Sequence, residues 1–423
     1  MSNVYPLHRE HNLISHILRV GHTGHRVFED LSAAGQMPFR RAVFDASHSQ
    51  RQHDLIAALA SSGVEIVLDT KSAELAYEIG MHSRARDLPW ALSERIQRPD
   101  DWTGVPGRAR AEQIAEFAQV IKADAVLAPT HFIDSARSPW LATDVMAARL
   151  LRDALDALGS KDIRVDYCLT APISPLRDQA QIDLVARAIA DTPDGNLWLR
   201  LSGFGMTGSA AALRRYIEFA WRLASLGKPI IADNVGGNAA LSLAGFGAVG
   251  GICQGAAERD SFNVSSWRSR PTGGRGPQKR IYAPALDLFL PKKTAETFLD
   301  RRYARTLILC KDQSCCRDAE DMIVNAKRHA IIQSNQQISN LSRRPPLKRV
   351  DFLLTEALPE TGRTLRKARR IKFEDEKLTA RLQALADRSE RMLHVLEDLH
   401  SSVEITPIPK TPISTVKKVE QAG

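Results

Sequence analysis

The sequence predicts an α/β protein built on a closed (β/α)₈ barrel, followed by a mainly helical, basic C-terminal region with a short coiled coil. From residue 41 to residue 255, short strand-like runs alternate with longer amphipathic helical patterns. Such alternation is typical of a parallel sheet with crossover helices. The strand-like runs number eight within about 215 residues, which fits a closed barrel better than an open sheet.

The predicted strands are apolar runs rich in β-branched and aliphatic residues. They are 42–46, 64–70, 88–92, 125–129, 163–170, 197–202, 229–234 and 248–253. The clearest helical patterns between them are 51–61, 109–121, 143–158, 178–190 and 210–225. The run 88–92 is the weakest strand; without it, an incomplete barrel or an open doubly wound sheet fits the pattern better.

The regions outside the barrel differ in character. We expect an N-terminal helical segment (1–40, with helices near 13–20 and 27–34), the barrel (41–290), a helical Cys/His extension (291–344), a basic helical region (345–400) and a disordered tail (401–423). Within 374–400, apolar positions alternate spacings of four and three, which is a heptad seam. The seam residues are Leu378, Leu382, Leu385, Ser389, Met392, Leu396 and Leu399. The seam predicts a coiled coil or a docking helix, for self-association, a protein partner or the barrel itself.

Composition narrows the class of protein. The chain has 423 residues, of which 43% are hydrophobic, so a large packed core is expected. No apolar run reaches the roughly 18 residues that a membrane span needs. The polar N-terminus lacks the apolar region of a secretory signal. Three of the five cysteines are bunched together, which argues against a disulfide framework and for a reducing, cytoplasmic environment.

The net charge of +9 is concentrated in the last third of the chain. Such clustering favours a polyanionic partner, because lysine and arginine neutralise phosphates. The basic loop after the last predicted strand supplies the candidate nucleic-acid contacts: Arg268, Arg270, Arg275, Lys279 and Arg280. A solvated basic surface without a partner remains the alternative.

If the barrel is correct, its chemistry lies at the C-terminal ends of the strands. The polar residues there give the candidate catalytic set: Asp45, Asp69, Lys71, His131, Arg200 and Asp233. Together they offer acids, bases and a cation within one barrel mouth. Asp45 and Asp69 have an alternative role as helix caps, and His131 as a loop histidine. Arg200 lies within an apolar strand and therefore needs a buried partner, which Asp233 or Asp166 could supply.

The stretch 228–255 predicts an anion-binding edge. Two strands joined by a short helix end beside glycines, where freed N–H groups bind phosphate. The candidate phosphate-binding residues are Asn234, Gly236, Gly237, Gln254 and Gly255. This stretch resembles the phosphate-binding last two βα units of inosine monophosphate dehydrogenase and related flavin enzymes. That resemblance implies a phosphorylated small molecule and leaves a flavin open, although no other residue indicates one.

A cluster of metal-ligating residue types follows the barrel. Cys310, Cys315 and Cys316, with His329 on a later helix, supply three thiolates and one imidazole. That set matches a tetrahedral Cys₃His zinc site. The alternative is a group of reduced thiols in a helix-turn-helix.

A barrel followed by a Cys₃His cluster, in a basic chain, is similar to the tRNA-guanine transglycosylase family. In that family a strand-end aspartate attacks ribose C1′ and displaces the base, and a second aspartate recognises or activates the base. The resemblance implies Asp45, Asp69 and Asp233 as nucleophile or acid, tRNA or DNA as substrate, and zinc. Two alternatives stay open: a phosphate- or flavin-dependent enzyme of small molecules, and a non-catalytic scaffold of a larger complex.

Overall fold

In the computed structural model, eight parallel strands close into a barrel in chain order, with the eighth bonded to the first. The structure describes residues 13–174, 178–256, 260–268, 278–371, 373, 375–404 and 406–414. The barrel strands are β1 (Ser15–Val20), β2 (Arg41–Asp45), β3 (Glu65–Asp69), β4 (Ala125–Leu127), β5 (Arg164–Pro172), β6 (Leu197–Ser202), β7 (Ile230–Asp233) and β8 (Gly251–Gly255). The predicted (β/α)₈ barrel is confirmed.

Helices of six or more residues surround the barrel and continue after it. Those of the barrel are α1 (His25–Ala33), α2 (His53–Ser61), α3 (Gly104–Val120), α4 (Pro139–Ala157), α5 (Gln179–Ala190), α6 (Ala210–Leu223) and α7 (Gly237–Gly245). Those after it are α8 (Lys292–Asp300), α9 (Arg302–Ile308), α10 (Ala319–Val324), α11 (Ala326–Ser342), α12 (Leu358–Arg369) and α13 (Glu376–Ser401).

Shorter elements connect these parts. The helical turns are Ala46–Ser49, Gln50–Gln52, Ser72–Leu75, Glu78–His82, Arg84–Asp87, Pro99–Trp102, Ala224–Leu226, Ser265–Arg268, Pro284–Leu286, Pro346–Lys348, Arg349–Phe352 and Leu353–Ala357. Two antiparallel pairs also form: Phe204–Gly205 with Ser261–Phe262, and Arg280–Ala283 with Leu288–Pro291. We call the second pair the hairpin.

The first strand is not the one that the sequence predicts. Residues 13–20 are predicted as a helix, but Ser15–Val20 forms β1. Ile17 joins the apolar cluster inside the barrel, whereas Leu18 and Val20 pack outside it beneath α1 and α2. A short run that is buried on both faces has no clear period, so periodicity cannot separate strand from helix there.

The predicted strand 88–92 is absent, although eight strands are present. Pro89 has no N–H to give to a sheet. Trp90 is fully buried, and its indole donates a hydrogen bond to the carbonyl of Thr70 at 3.0 Å, just beyond β3. The apolar character of this run therefore reflects packing of the loop against the barrel rather than a strand.

The barrel interior is apolar at mid-height. One cluster of buried side chains fills this level: Ile17, Val43, Val67, Ala125, Leu127, Cys168, Trp198, Ile231 and Cys253. Because strand side chains alternate between faces, the inward residues above and below this level form separate layers. Charged side chains occupy both outer layers, one at the C-terminal mouth and one at the N-terminal end, which we call the floor.

The heptad seam of α13 is buried within the chain. All seven seam residues are at most 9% exposed. Its first half packs into the core of the C-terminal helices, and Met392, Leu396 and Leu399 join the main barrel core. Of the roles predicted for residues 374–400, the structure shows docking on the barrel.

Part of the predicted disordered tail is ordered. Residues 406–414 lie across the barrel floor, where Ile413 bonds to Asn196 and Ser414 to Glu65. Disorder is therefore the wrong prediction for this segment. Its three prolines, Pro407, Pro409 and Pro412, are typical of extended segments as well as of disordered ones.

The described helices include none that combines the length and the apolar character needed to cross a membrane.

The packing of α13 predicts the effect of a truncation at its seam. Leu396→Ala should lower the free energy of unfolding by about 2–5 kcal/mol, because Leu396 is fully buried and the site cannot collapse completely. Denaturant unfolding measures this. His394→Ala, on the exposed face of the same helix, should change stability by less than about 0.5 kcal/mol. A change in oligomeric state without a change in stability would contradict internal packing.

Candidate active site at the barrel mouth

Five charged side chains converge at the C-terminal ends of the strands. They are Arg19 on β1, Asp45 on β2, Asp69 on β3, Arg200 on β6 and Asp233 on β7, and each is at most 6% exposed. All five occupy inward positions of their strands, two residues beyond members of the apolar layer. Four of the predicted catalytic residues are thus brought together.

The two arginines bridge two of the carboxylates. Arg19 donates to Asp233 from Nε and Nη2 at 2.7 and 2.8 Å, and from Nη1 to Asp69 at 2.8 Å. Arg200 donates from Nε to Asp233 at 2.8 Å and from Nη2 to Asp69 at 2.7 Å. Each aspartate therefore binds both guanidinium groups.

Asp45 contacts Arg19, and Lys71 extends the cluster beyond Asp45. The Arg19 Nη1 atom lies 3.6 Å from Oδ1 of Asp45, and Lys71 Nζ lies 3.6 Å from its Oδ2. Lys71 also contacts Glu74, and its backbone N–H donates to Asp69 Oδ1 at 3.0 Å. Since Arg19 Nη1 contacts both carboxylates, Asp45 and Asp69 lie side by side at the mouth.

The electrostatics keep the bridged aspartates ionised. Burial opposes ionisation of Asp69, but Arg200, Arg19 and Lys71 outweigh it and hold its pKa well below the usual range. At Asp233 burial is likewise outweighed by Arg19 and Arg200, which lower its pKa. Both groups are therefore carboxylates at neutral pH.

Arg19 is the functional residue that sequence reasoning missed. Its segment is predicted as a helix, so its arginine was not placed at a strand end. The signal was nevertheless present, because an arginine within an apolar run is the same feature that singles out Arg200. Recognising Ser15–Val20 as a strand would have found it.

A small cavity lies beside these residues. The cavity beside the cluster has about 10 Å³, enough for roughly one water molecule. Its lining consists of Asp69, Thr70, Ser72, Ala73, Leu127, Ala128, Thr130, Cys168 and Arg200. Ala73 in turn packs with Phe132, Phe262, Val264 and Trp267, which cover this side of the mouth.

His131 does not join the cluster. Its Nδ1 atom lies 2.6 Å from Asp144 on α4, and its ring stacks on Trp140 with centroids 3.6 Å apart. Asp144 also accepts the backbone N–H of His131 at 2.7 Å. The side chain is fully enclosed between β4 and α4, so the structure assigns it a packing role and not one at the mouth.

The predicted phosphate-binding edge holds an internal anion. Asp287, in the turn of the hairpin, accepts the backbone N–H of Asn238 at 2.9 Å and so caps α7. A Cβ atom on Gly237 would lie 2.1 Å from the same carboxylate oxygen. The N-terminus of α7 is thus filled by the chain itself, which corrects the prediction of a phosphate there.

The other predicted phosphate ligands serve local packing. A Cβ atom on Gly236 would lie 2.7 Å from Oε1 of Gln254, and the amide of Gln254 faces His16 at 3.3 Å. Asn234 is buried and has a positive φ of 60°, and Gly255 pairs with Arg19 in the barrel.

The basic loop is described in part. Arg268, Lys279 and Arg280 are exposed, whereas Arg270 and Arg275 lie outside the described residues. Lys279 Nζ donates to the carbonyl of Val324 at 3.0 Å. The loop leaves β8 at its C-terminal end, so the flanks that are described stand on the mouth side of the barrel.

The four predicted metal ligands do come together. The ligand atoms of Cys310, Cys315, Cys316 and His329 all lie within 4.8 Å of one another. Cys315 and Cys316 have their Sγ atoms 3.6 Å apart and lie 3.4 and 3.3 Å from Nδ1 of His329. Zinc bonds of about 2.3 Å to sulfur and 2.0 Å to nitrogen, at tetrahedral angles, give separations of about 3.5–3.8 Å. The cluster can therefore hold a metal ion.

The second ring nitrogen of His329 supports this geometry. Nε2 lies 2.9 Å from the carbonyl of Tyr282 in the hairpin, which fixes the proton on Nε2 and leaves Nδ1 as the lone-pair donor. The cluster thus also ties α11 to the hairpin that carries Asp287.

No protein-family model and no curated protein matches the sequence. Solved structures similar to the chain include a GH18 chitinase from Pseudoalteromonas aurantia (13% identity, TM-score 0.35), covering 58% of this chain and 96% of that one. An HpcH/HpaI aldolase from Desulfitobacterium hafniense has 10% identity and a TM-score of 0.33, with coverages of 58% and 87%. A D-psicose 3-epimerase has 11% identity and a TM-score of 0.33, with coverages of 62% and 92%.

These three structures are barrel enzymes whose names point to sugars and small molecules, and none is a tRNA-guanine transglycosylase or an inosine monophosphate dehydrogenase. Likenesses of this extent carry no argument about the chemistry at the mouth of this barrel.

The cap at α7 predicts a pH-dependent stability. Burial raises the pKa of Asp287 to about 6, although Arg388 acts against the shift. Because this folded-state pKa lies above the unfolded value of about 3.9, the native state binds its proton more tightly, and stability is lost as pH rises from about 4 to 6. Asp287→Asn should remove this loss. As pH rises from about 4 to 6, the free energy of unfolding of the variant should therefore rise by about 2–3 kcal/mol relative to that of the natural protein.

Denaturant unfolding at several pH values between 4 and 7.5 measures the difference. Asp153→Asn, on the exposed face of α4, is the matched control and should leave the pH dependence unchanged. Parallel curves for the natural protein and Asp287→Asn would show that Asp287 does not titrate in this range.

Proposed function

We propose that the chain is an enzyme that transfers or cleaves a glycosidic bond at the barrel mouth, with a nucleoside in a nucleic acid as substrate. The observation that carries the proposal is the convergence of Asp45, Asp69 and Asp233 at the catalytic end of the barrel. In glycosyl transfer the sugar carbon becomes positively charged in the transition state, and buried ionised carboxylates stabilise that charge.

The contacts divide the roles among the three carboxylates. Asp69 and Asp233 are each held by two guanidinium groups at 2.7–2.8 Å, which fixes them and makes them weak bases. With their charge balanced by the arginines, they serve to hold Arg19 in place beside Asp45. Asp45, beside Lys71, is then the group that attacks the anomeric carbon or moves the proton of the base. Since the cavity holds about one water, substrate binding requires the segments over the mouth to open.

The surroundings of the mouth favour an anionic polymer as substrate. Exposed Arg268, Lys279 and Arg280 flank the loop that leaves β8 on the mouth side. A small phosphorylated substrate is less favoured, because Asp287 fills the N-terminus of α7 where its phosphate would bind. A scaffold built through α13 is less favoured too, because the seam is covered within the chain.

Base exchange and base release test the chemistry. The natural protein is incubated with unfractionated tRNA or duplex DNA and radiolabelled guanine, and both incorporated label and released base are measured. Asp45→Asn should reduce the rate about 100-fold or more while the melting temperature stays close to that of the natural protein. Asp153→Asn should retain full activity. A natural protein that neither exchanges nor releases a base on either polymer would reject the proposed reaction.

The same proteins report on the substrate class. The affinity for each polymer is measured from 50 to 300 mM salt, a range in which every phosphate contact adds about 0.9 to the logarithmic slope. Replacing Arg268, Lys279 and Arg280 by alanine should lower that slope by about one to three. Replacing Arg40 and Lys161, exposed at the floor, should not. Equal effects of both sets would place the nucleic acid away from the mouth.

We further propose zinc as the metal of the Cys₃His cluster. Four protein ligands close a tetrahedral site, and such a closed site supplies folding free energy rather than an open position for catalysis. Here it would hold α11 and the loop 310–316 against the hairpin, since His329 also bonds to Tyr282. Such a zinc would take no part in the chemistry at the mouth, which the aspartates and arginines would carry out.

Metal analysis of the full-length protein checks this assignment. We expect about one zinc per chain, and Cys316→Ser should lose the metal and melt at a lower temperature, because one ligand is removed. Ser314→Ala, in the same loop but not a ligand, should keep both. A metal-free natural protein whose stability is insensitive to Cys316→Ser would leave reduced thiols as the correct interpretation.

A further inference from the structure

The barrel floor carries a buried layer of charged side chains that takes no part in the proposed reaction. Glu65 on β3 accepts from Arg41 on β2 at 2.9 Å and from Arg164 on β5 at 2.6 Å. Asp166 accepts from Arg164 at 2.6 Å and from the backbone of Asn196 at 2.9 Å. The apolar layer separates these groups from the mouth. The four charged side chains are at most 6% exposed, so this layer is covered from solvent.

Residues 406–414 supply that cover mainly through their main chain. The N–H of Ile413 donates to Oδ1 of Asn196 at 2.7 Å, and its carbonyl accepts from Nδ2 of the same amide at 3.2 Å. The carbonyl also accepts from Arg41 at 2.5 Å. Ser414 adds a side-chain bond to Glu65 at 2.7 Å. An asparagine amide that pairs with both backbone groups of one residue recognises an extended peptide, whatever its side chain.

Three glycines before and at the start of β8 make room for the segment. A Cβ atom on Gly247 would lie 1.7 Å from the carbonyl oxygen of Pro407, and one on Gly250 would lie 2.0 Å from that of Lys410. A Cβ atom on Gly251 would lie 3.0 Å from both Pro412 and Ile231. Any larger residue at Gly247 or Gly250 would displace the segment. These glycines thus serve the close approach of another backbone.

The segment itself is suited to binding as a unit. Its prolines restrict φ in the free chain, so less conformational entropy is lost when it docks. Lys410 Nζ donates to the carbonyl of Gly227 at 2.8 Å. This second contact, three residues before Ile413, fixes the position of the segment along the floor. Ile408 and Ile413 are 52% and 42% exposed, whereas Pro412 is buried beside Gly251.

We propose that the barrel floor is a peptide-binding site whose ligand is the 406–414 segment of this chain. The site recognises the main chain of Ile413 through Asn196 and Arg41, and it binds the same segment when that segment is supplied as a separate peptide. This site is independent of the reaction at the mouth. Attachment to α13 raises the effective concentration of the segment, so a weak intrinsic affinity is enough to keep the site filled.

Hydrogen exchange on the full-length protein gives the first test. The amide of Ile413 should exchange at least about tenfold more slowly than in the free peptide 404–416. Gly250→Ala should abolish that protection, because the new Cβ occupies the place of the Lys410 carbonyl. Gly362→Ala, where a Cβ meets nothing closer than 3.6 Å, is the matched control and should retain it. Unprotected exchange in the natural protein, or full protection in Gly250→Ala, would overturn the proposal.

Binding in trans gives the second test and does not depend on Gly250→Ala folding. Ile413→Pro in the full-length chain removes the N–H that Asn196 accepts, which frees the site. A fluorescent peptide of residues 404–416 should bind this variant saturably and at least tenfold more tightly than it binds the natural chain, whose site is filled. The same peptide with N-methylated Ile413 should lose at least tenfold in affinity. Equal binding of the two peptides, or no binding to Ile413→Pro, refutes a main-chain recognition site.

Discussion

Two buried guanidinium groups hold the barrel mouth together. Arg19 and Arg200 come from opposite parts of the sheet, and each binds both Asp69 and Asp233, so strands β1, β3, β6 and β7 are joined across the interior. A buried ion-pair network contributes little net stability compared with apolar packing of the same volume. Its presence is better explained by the need to keep carboxylates ionised at the barrel mouth, or to specify how the strands close.

Later parts of the chain cover the edges that the barrel leaves open. The Asp287 carboxylate fills the N-terminus of α7, and the seam of α13 packs on the barrel and on α12. The Cys₃His cluster holds the hairpin from which Asp287 projects, through the bond between His329 and Tyr282. The C-terminal region is therefore part of the barrel's structure rather than a separate appended module.

Most of the barrel could be predicted from the sequence because seven strands lie between helices with a clear period. The need of Arg200 for a buried carboxylate was also predictable, but the sequence left Asp166 open beside Asp233, the partner that the structure shows. The Cys₃His cluster was predictable because cysteines rarely cluster by chance. What failed depended on long-range contacts: β1 is buried on both faces, and the run 88–92 is apolar for packing reasons.

The same limit applies to Asp287 and to residues 406–414. No local sequence pattern indicates the role of either, because each contacts a residue far away in the chain. Asp287 contacts Asn238, and residues 406–414 contact Asn196. A proline-rich segment with few apolar residues reads as disordered unless its docking site is known. Arg19 was missed for a simpler reason. Because its segment is predicted as a helix, none of its residues is expected at a strand end.

The position of the 406–414 segment bears on how the protein is made. Domains usually fold from the N-terminus as the chain emerges from the ribosome. Here β1 can pair with β8 only after β8 has been synthesised. The floor stays uncovered until the segment that follows α13 has left the exit tunnel. The barrel therefore reaches its final form only after residue 414 has left the ribosome. In a stalled nascent chain the ion pairs of Glu65 and Asp166 would be exposed to water, and the open floor would be accessible to chaperones and proteases.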